Sequence, residues 1–188
     1  IGVAKMTTIR AFSMFDLLKY NNINIDILTE TFYTNFYGQY LNKWQEYCVV
    51  VENSTSKIQG YLLGKVEGNK SPEKRTWHGH VTAITVDPDF RKQGLARSLM
   101  NYLEEVTTKM HDGWFVDLFV RSSNKVAIEM YKSLGYSLYR RVIDYYSGDK
   151  NHKSEDAWDM RKSMPRDEKK ELMIPLDHPV EPHELEFN

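Results

Sequence analysis

One stretch of this chain limits its fold more than any other: a β-branched run, a glycine turn and a long helical pattern follow one another without a break. Val81-Thr82-Ala83-Ile84-Thr85-Val86 has the composition of a strand, and Asp87-Pro88-Asp89 ends it. Arg91-Lys92-Gln93-Gly94-Leu95-Ala96 comes next, and Leu95, Ala96, Leu99, Met100, Leu103, Val106 and Met110 recur at helical spacing. A strand that turns directly into a helix places the helix N-terminus at the strand's end. Several N–H groups there have no intrahelical partner, and the helix dipole favours negative charge. Gly94 and Ala96 carry little or no side chain, so a phosphate can approach the backbone N–H groups from Gln93 to Ala96. Arg91 and Lys92 add charge, although by themselves they would read as a solvated basic pair. The chemistry suited to this geometry is the capture of a pyrophosphate.

Around this segment the pattern predicts a first strand over Thr7 to Phe12 and two helices, Met14 to Asn21 and about Leu28 to Trp44. Strands follow at Cys48 to Val51, Ile58 to Glu67 and Trp77 to Val86, then the long helix to about Met110. Trp114 to Val120 reads as a strand buried on both faces. A helix over Asn124 to Leu134, closed by Gly135, precedes two late strands, Tyr136 to Tyr146 and Ala157 to Lys162. The fold class expected is α/β with a mixed sheet: mostly antiparallel and twisted, with one parallel βαβ unit and helices on both faces. We expect one domain over residues 6–162 and a Pro-rich tail over 163–188, which drapes over the domain or a partner. The first five residues read as a remnant ahead of a start at Met6.

Composition removes several classes of function. A formal net charge of −1 offers no field for nucleic acid or an anionic membrane. No apolar run approaches the roughly 20 residues that span a bilayer, and no basic-then-apolar leader is visible. The one cysteine, Cys48, allows no internal disulfide, suits a reducing, cytoplasmic address, and beside Val49 to Val51 reads as a small buried hydrophobe rather than a nucleophile.

Arg91, Gly94 and Ala96 occupy the fixed positions of the acyl-CoA signature of the GCN5-related N-acetyltransferases (GNAT), and here the signature follows a strand and opens a helix. The chain resembles that family. It resembles more closely the catalytic subunits of NatB-type N-terminal acetyltransferases, through Asn21-Asn22-Ile23-Asn24, Leu28-Thr29-Glu30-Thr31, Trp77-His78-Gly79-His80-Val81-Thr82-Ala83, Val116-Asp117-Leu118-Phe119-Val120-Arg121 and Asp144-Tyr145-Tyr146. The resemblance runs from about Met6 to the tail. It implies transfer of acetyl from acetyl-CoA to the α-amine of protein N-termini beginning Met-Asp, Met-Glu, Met-Asn or Met-Gln. It also implies a heterodimer with a larger helical-repeat auxiliary subunit that meets nascent chains at the ribosome.

Acetyl transfer from a thioester to an amine needs a held cosubstrate, a neutral amine, a stabilised oxyanion and an acid for the leaving sulfur. The resemblance places Ile84, Thr85 and Val86 along the cosubstrate, with a backbone N–H near Val86 meeting the oxyanion. It gives Asn124 a cosubstrate contact and makes Tyr131, roughly two turns further along the same helix, the acid; the plainer alternative is that Tyr131 packs beside Ala127 and Leu134. An α-amine with a pKa of about 8 needs only a modest base, acting directly or through water. His80 is the first candidate and Glu30 the second. His78 and His80 share a strand face, and a metal pair is the rival reading. Neither a nearby cysteine nor a third ligand is visible, so no metal is expected, and His78 reads as a structural histidine. For the peptide, Phe32, Tyr33, Tyr145 and Tyr146 offer aromatic walls and phenols, while His80 and Thr82 can hydrogen-bond the second residue. A regular strand would turn Tyr145 and Tyr146 to opposite faces unless a bend intervenes. Phe32 has no hydroxyl, so its role must be packing or main-chain contact, and Phe36, Tyr40 and Trp44 read as core. Two other functions stay open at this point: a lysine or small-amine acetyltransferase on the same scaffold, and a non-catalytic CoA-binding subunit.

Overall fold

The computed structural model describes residues 7–19, 32–148 and 153–185. Seven strands take the order β1-β2-β3-β4-β5-β7-β6, and one pair is parallel. The chain divides into two compact units, one of residues 1–65 and 81–106, the other of residues 66–80 and 107–188.

In the first unit β1 (Thr7–Ala11) pairs antiparallel with β2 (Cys48–Asn53), and β2 with β3 (Ile58–Glu67). The Asn53 carboxamide accepts from the N–H groups of Thr55 and Lys57, which closes the β2–β3 turn. Strand β4 (His78–Val86) begins in the second unit and runs into the first. A single 3-10 turn at Met14–Leu18 carries a capping box in which Ser13 and Asp16 satisfy each other's backbone N–H groups. The buried Asp16 carboxylate also takes two hydrogen bonds from Arg10, at 2.7 and 2.9 Å.

Helix α1 spans Thr34–Lys43, not Leu28 to Trp44. Phe32 and Tyr33 lie ahead of it: Tyr33 is the N-cap with extended backbone, so the helical spacing of the aromatics continues past the entry of the helix itself. Its inner face joins Phe12, Tyr37, Tyr40, Cys48, Tyr61 and Leu63 in one apolar cluster. Cys48 is fully buried there, and burial pushes its thiol up to about 12, so it packs and does not attack.

Helix α2 covers Leu95–Lys109 and buries Leu95, Leu99, Met100, Leu103 and Val106 as their spacing predicts. Met110, counted in that stripe, is exposed, because the helix stops one residue before it. A helical crossover of this length is what a parallel strand pair requires.

The second unit holds β5 (Phe115–Arg121), α3 (Lys125–Ser133), β6 (Ser137–Tyr146) and β7 (Glu155–Ser163). Strand β7 lies between β5 and β6, antiparallel to both. The burial patterns account for this order. β7 buries Ala157, Asp159 and Met160 and leaves no residue exposed, whereas β6 buries only Val142 and exposes Arg141 and Asp144, which suits an edge. The tail covers that edge through hydrogen bonds from Leu176 N–H to the Tyr139 carbonyl, from Val180 N–H to the Arg141 carbonyl, and from Ile143 N–H to the Val180 carbonyl. Val180 and Leu185 enter an apolar cluster with Val142 and Ala157, so this irregular segment is tied down by β6 and packs against the unit.

Candidate active site

In the first unit the strand-to-helix turn is built as the sequence suggests. Thr85 is buried, while Ile84 and Val86 are partly exposed at the end of β4. The Asp87 carboxylate accepts from Asp89 N–H at 2.9 Å and caps a 3-10 turn at Pro88–Phe90, whose Phe90 ring is buried. Lys92 (φ +60°) and Gly94 (φ +81°) both take left-handed backbone, which bends the chain into α2. The first intrahelical bond runs from Ser98 N–H to the Gly94 carbonyl at 3.0 Å, so the N–H groups of residues 95–97 precede the helical ladder. Arg91, Lys92, Gln93 and Gly94 are exposed, Ala96 is partly so, and the buried Leu95 side chain anchors the turn. A Cβ at Gly94 would meet nothing within 4 Å, so the turn opens onto space that a bulky anion can enter. Arg91 also donates its Nε–H to the Val86 carbonyl at 3.1 Å, linking the turn to the strand end.

Gly60 on β3 allows a close approach at the same place. A Cβ there would lie 2.7 Å from the Thr85 carbonyl oxygen and 3.3 Å from Val86 Cα. Thr82 shares a 2.9 Å hydrogen bond with the Tyr40 hydroxyl. Phe32 stacks on Phe36 at 4.1 Å, and Tyr33 is 88% exposed. Glu30 lies outside the described residues.

In the second unit the two histidines of β4 face one buried carboxylate. Asp117 Oδ1 lies 2.8 Å from His80 Nδ1, and Asp117 Oδ2 lies 3.3 Å from His78 Nε2. Glu67 of β3 brings Oε1 to 3.7 Å from His80 Nδ1 and 3.8 Å from His78 Nε2. No third group was expected beside the histidines, and Glu67 corrects this: one ligand atom from each of Glu67, His78 and His80 falls within 4.8 Å of the others. Burial alone would lift the Asp117 carboxyl, but the charges and hydrogen bonds of His78 and His80 hold it well below the usual carboxylate range. Burial opposes protonation of His78, yet Asp117, the Thr76 carbonyl and Glu67 together raise its pKa.

His80 lies 5.7 Å from the Phe119 ring, and Phe119 stacks on Tyr145 at 4.6 Å. Strand β6 does bend: Asp144 has φ +49°, and the β6–β7 register shifts between Val142 and Tyr146. Tyr145 and Tyr146 therefore both reach Phe119, the latter donating its hydroxyl to the Phe119 carbonyl at 3.1 Å.

Asn124 caps α3 by accepting from Ala127 N–H at 3.1 Å, a structural use that accompanies its expected cosubstrate contact. Tyr131, on the inner side of the same helix, is 6% exposed and meets Tyr136 edge-on at 6.0 Å. Burial raises its phenol above the ordinary tyrosine value, so it stays protonated throughout the working pH range.

Sequence reasoning missed Asp117, Glu67, Phe119 and the Tyr40–Thr82 pair. Asp117 had a visible signal: it is a lone charge inside an apolar strand, and a buried charge demands partners. The other three depend on neighbours from other elements that spacing along the chain does not reveal.

Comparison with known proteins identifies the family to which this fold belongs. The Acetyltransferase (GNAT) family matches residues 17–136. N-alpha-acetyltransferase 20 of Dictyostelium discoideum is 55% identical over 182 residues, covering 97% of this chain and 100% of that protein. The crystal structure of Chaetomium thermophilum Naa20 in complex with a bisubstrate analogue superposes with a TM-score of 0.84 at 45% identity, covering 94% of this chain and 97% of that one. A NatB acetyltransferase complex bound to a bisubstrate inhibitor gives a TM-score of 0.83 at 38% identity over 96% and 99% of the two chains. With its strand, left-handed glycine turn and helix inside the matched span, this chain belongs to the acetyltransferase (GNAT) family, among the catalytic subunits of N-terminal acetyltransferase B.

Proposed function

We propose that this chain transfers acetyl from acetyl-CoA to the α-amine of protein N-termini beginning Met-Asp, Met-Glu, Met-Asn or Met-Gln, as the catalytic subunit of a NatB-type heterodimer. One observation carries the reading: the exposed left-handed turn at Lys92 and Gly94, which opens α2 directly after β4. Backbone N–H groups from Gln93 to Ala96 hold the pyrophosphate, and Arg91 and Lys92 supply positive charge. Ile84, Thr85 and Val86 lie along the cosubstrate, with Asn124 contributing a further contact. Solved relatives bound to bisubstrate compounds or CoA support this cosubstrate.

Acetyl-CoA supplies the activated thioester carbonyl. His80, directly or through a water, takes a proton from the terminal ammonium, with Glu30 as the second candidate. The freed amine attacks the carbonyl carbon while the Val86 N–H steadies the developing oxyanion. As the C–S bond breaks, Tyr131 donates a hydrogen bond to the sulfur. Because burial lifts the phenol well above a thiol's ordinary value of about 8.5, this donation eases departure without complete proton transfer. The proton that the attacking nitrogen sheds on becoming an amide passes through water to the departing thiolate, so the products are the amide and the free thiol. Thr82 and His80 read the second residue, and Phe32, Tyr33, Tyr145 and Tyr146 wall the peptide.

The partner is a larger helical-repeat auxiliary subunit that brings the enzyme to ribosomes in the cytoplasm. NatB complexes among the solved relatives support the heterodimer, and so do Phe15 (74% exposed) and Leu18 (79%) on the first helical turn. Among the described residues, no helix is long and apolar enough to cross a membrane. The test is acetylation of Met-Asp, Met-Leu and internal-lysine peptides, read by mass spectrometry with the chain alone and with an auxiliary subunit. Preference for Met-Asp is expected. Preference for internal lysine would overturn the assignment, and activity at the full rate without a partner would remove the obligate heterodimer.

A further inference from the structure

We infer that Asp117 is a positioning residue: it fixes the proton of His80 on Nδ1 and leaves Nε2 as the working atom of that imidazole. The inference deepens the role given to His80 above and rests on that reading only for its effect on turnover. Its basis is the hydrogen-bond logic of the three side chains.

His78 Nδ1 lies 2.5 Å from the Thr76 carbonyl oxygen. A carbonyl only accepts, so this nitrogen carries a proton. His78 Nε2 faces Asp117 Oδ2 at 3.3 Å and Glu67 Oε1 at 3.8 Å. Nε2 makes no aligned hydrogen bond, but two carboxylates within 3.3 and 3.8 Å favour the charged ring, and His78 is assigned as an imidazolium. Its charge balances that of Asp117, and its ring is held by stacking on Phe115 at 4.4 Å.

Asp117 Oδ1 accepts at 2.8 Å from His80 Nδ1. A carboxylate kept ionised can only accept, so the mobile proton of His80 is located on Nδ1. The acidic groups around this pair come from three strands: Glu67 on β3, Asp117 on β5 and Asp159 on β7. Asp159 sits between Arg140 at 2.8 Å and Arg161 at 3.3 Å, so its charge is matched without the histidines. The arrangement has the logic of a carboxylate that orients a catalytic imidazole, with a second histidine keeping the carboxylate ionised.

The measurement is nitrogen-15 NMR of histidine-labelled full-length protein at about pH 8, alongside steady-state kinetics with a Met-Asp peptide. In the wild type we expect His80 with a protonated Nδ1 and a pyridine-like Nε2. A wild-type spectrum with the proton on Nε2 overturns the inference whatever the turnover, and it needs no variant to fold. In Asp117→Asn the amide can donate to Nδ1, so the tautomer is expected to switch. The peptide kcat should then fall about 10²-fold, with the acetyl-CoA KM within about twofold. Unchanged kcat in a folded Asp117→Asn protein, where His80→Gln does lose turnover, overturns the positioning role of Asp117. Stoichiometric zinc in the purified protein does so too, because a metal would displace the Nδ1 proton. Full turnover by His80→Gln would remove the base assigned under Proposed function, while the spectrum still decides the tautomer.

Discussion

Gly60→Ala tests whether the close packing of β3 against β4 sets the geometry of the oxyanion site. An added Cβ would stand 2.7 Å from the Thr85 carbonyl oxygen and 3.3 Å from both Val86 Cα and Cγ2. The nearest atoms are backbone, so no flexible side chain can yield. Restoring an ordinary contact moves the end of β4 by about 0.7 Å. Overpacking of this kind costs about 1–3 kcal/mol, and removing a strand glycine returns about 0.5–1 kcal/mol. The net loss, between zero and about 2.5 kcal/mol and centred near about 1 kcal/mol, lowers Tm by about 2–4 °C at that centre in a chain of this size. Complete loss of an oxyanion donor costs about 10²–10³ in kcat, and a partial displacement of the Val86 N–H should cost about tenfold. Thermal unfolding by circular dichroism and steady-state kcat read the two effects separately. Gly38→Ala is the control: its Cβ would meet nothing within 4 Å inside α1, so it should raise Tm and leave kcat unchanged. If Gly60→Ala loses stability but keeps kcat within twofold of the wild type, the coupling between Gly60 and the oxyanion site is refuted. If neither quantity changes, the close approach itself is refuted.

Other perturbations give equally definite outcomes. Tyr131→Phe keeps the ring in its buried place and removes only the hydroxyl, so kcat should fall by about 10²-fold or less while Tm stays near the wild type; an unchanged rate would remove the assigned donor. Gly94→Val places a β-branched residue at φ +81°, and the acetyl-CoA KM should rise about tenfold or more, measured by initial rates. Because His78 is raised on folding, its stabilising contribution is complete below the unfolded value of about 6.5 and is lost as pH climbs through the folded value. Asp117 is depressed, so its contribution holds above about 3.9 and disappears as pH falls through its lower folded value. Tm profiles against pH should therefore decline on the alkaline side for the wild type, and His78→Gln should flatten that decline. Leu18→Glu, which charges an exposed apolar position, should weaken association with an auxiliary subunit in size-exclusion chromatography and leave the Tm of the isolated chain unchanged.

Where local chemistry is decisive, the sequence and the structure agree. β3 begins and ends at the residues that its composition predicts, the capping Asn124 and the left-handed Gly135 bound α3, and the glycine turn opens α2 after β4. Those features depend on neighbours within about four residues, through strand alternation, capping and backbone freedom. Boundaries were less legible where aromatic residues keep helical spacing beyond the helix itself, as at Phe32 and Tyr33.

By itself the sequence determined the strand, turn and helix that suit a pyrophosphate, the small buried role of Cys48, and the family. Tertiary structure alone decided that β7 enters between β5 and β6, that the bend at Asp144 brings Tyr145 and Tyr146 to one residue, Phe119, and that Asp117 meets both histidines. The reason lies in range. Helix caps and turns are set by torsions and hydrogen bonds between near neighbours, whereas the state of a buried imidazole depends on which carboxylate a different strand places within 3 Å of it. His80 and Asp117 are 37 residues apart in the chain, and only strand pairing makes them a unit.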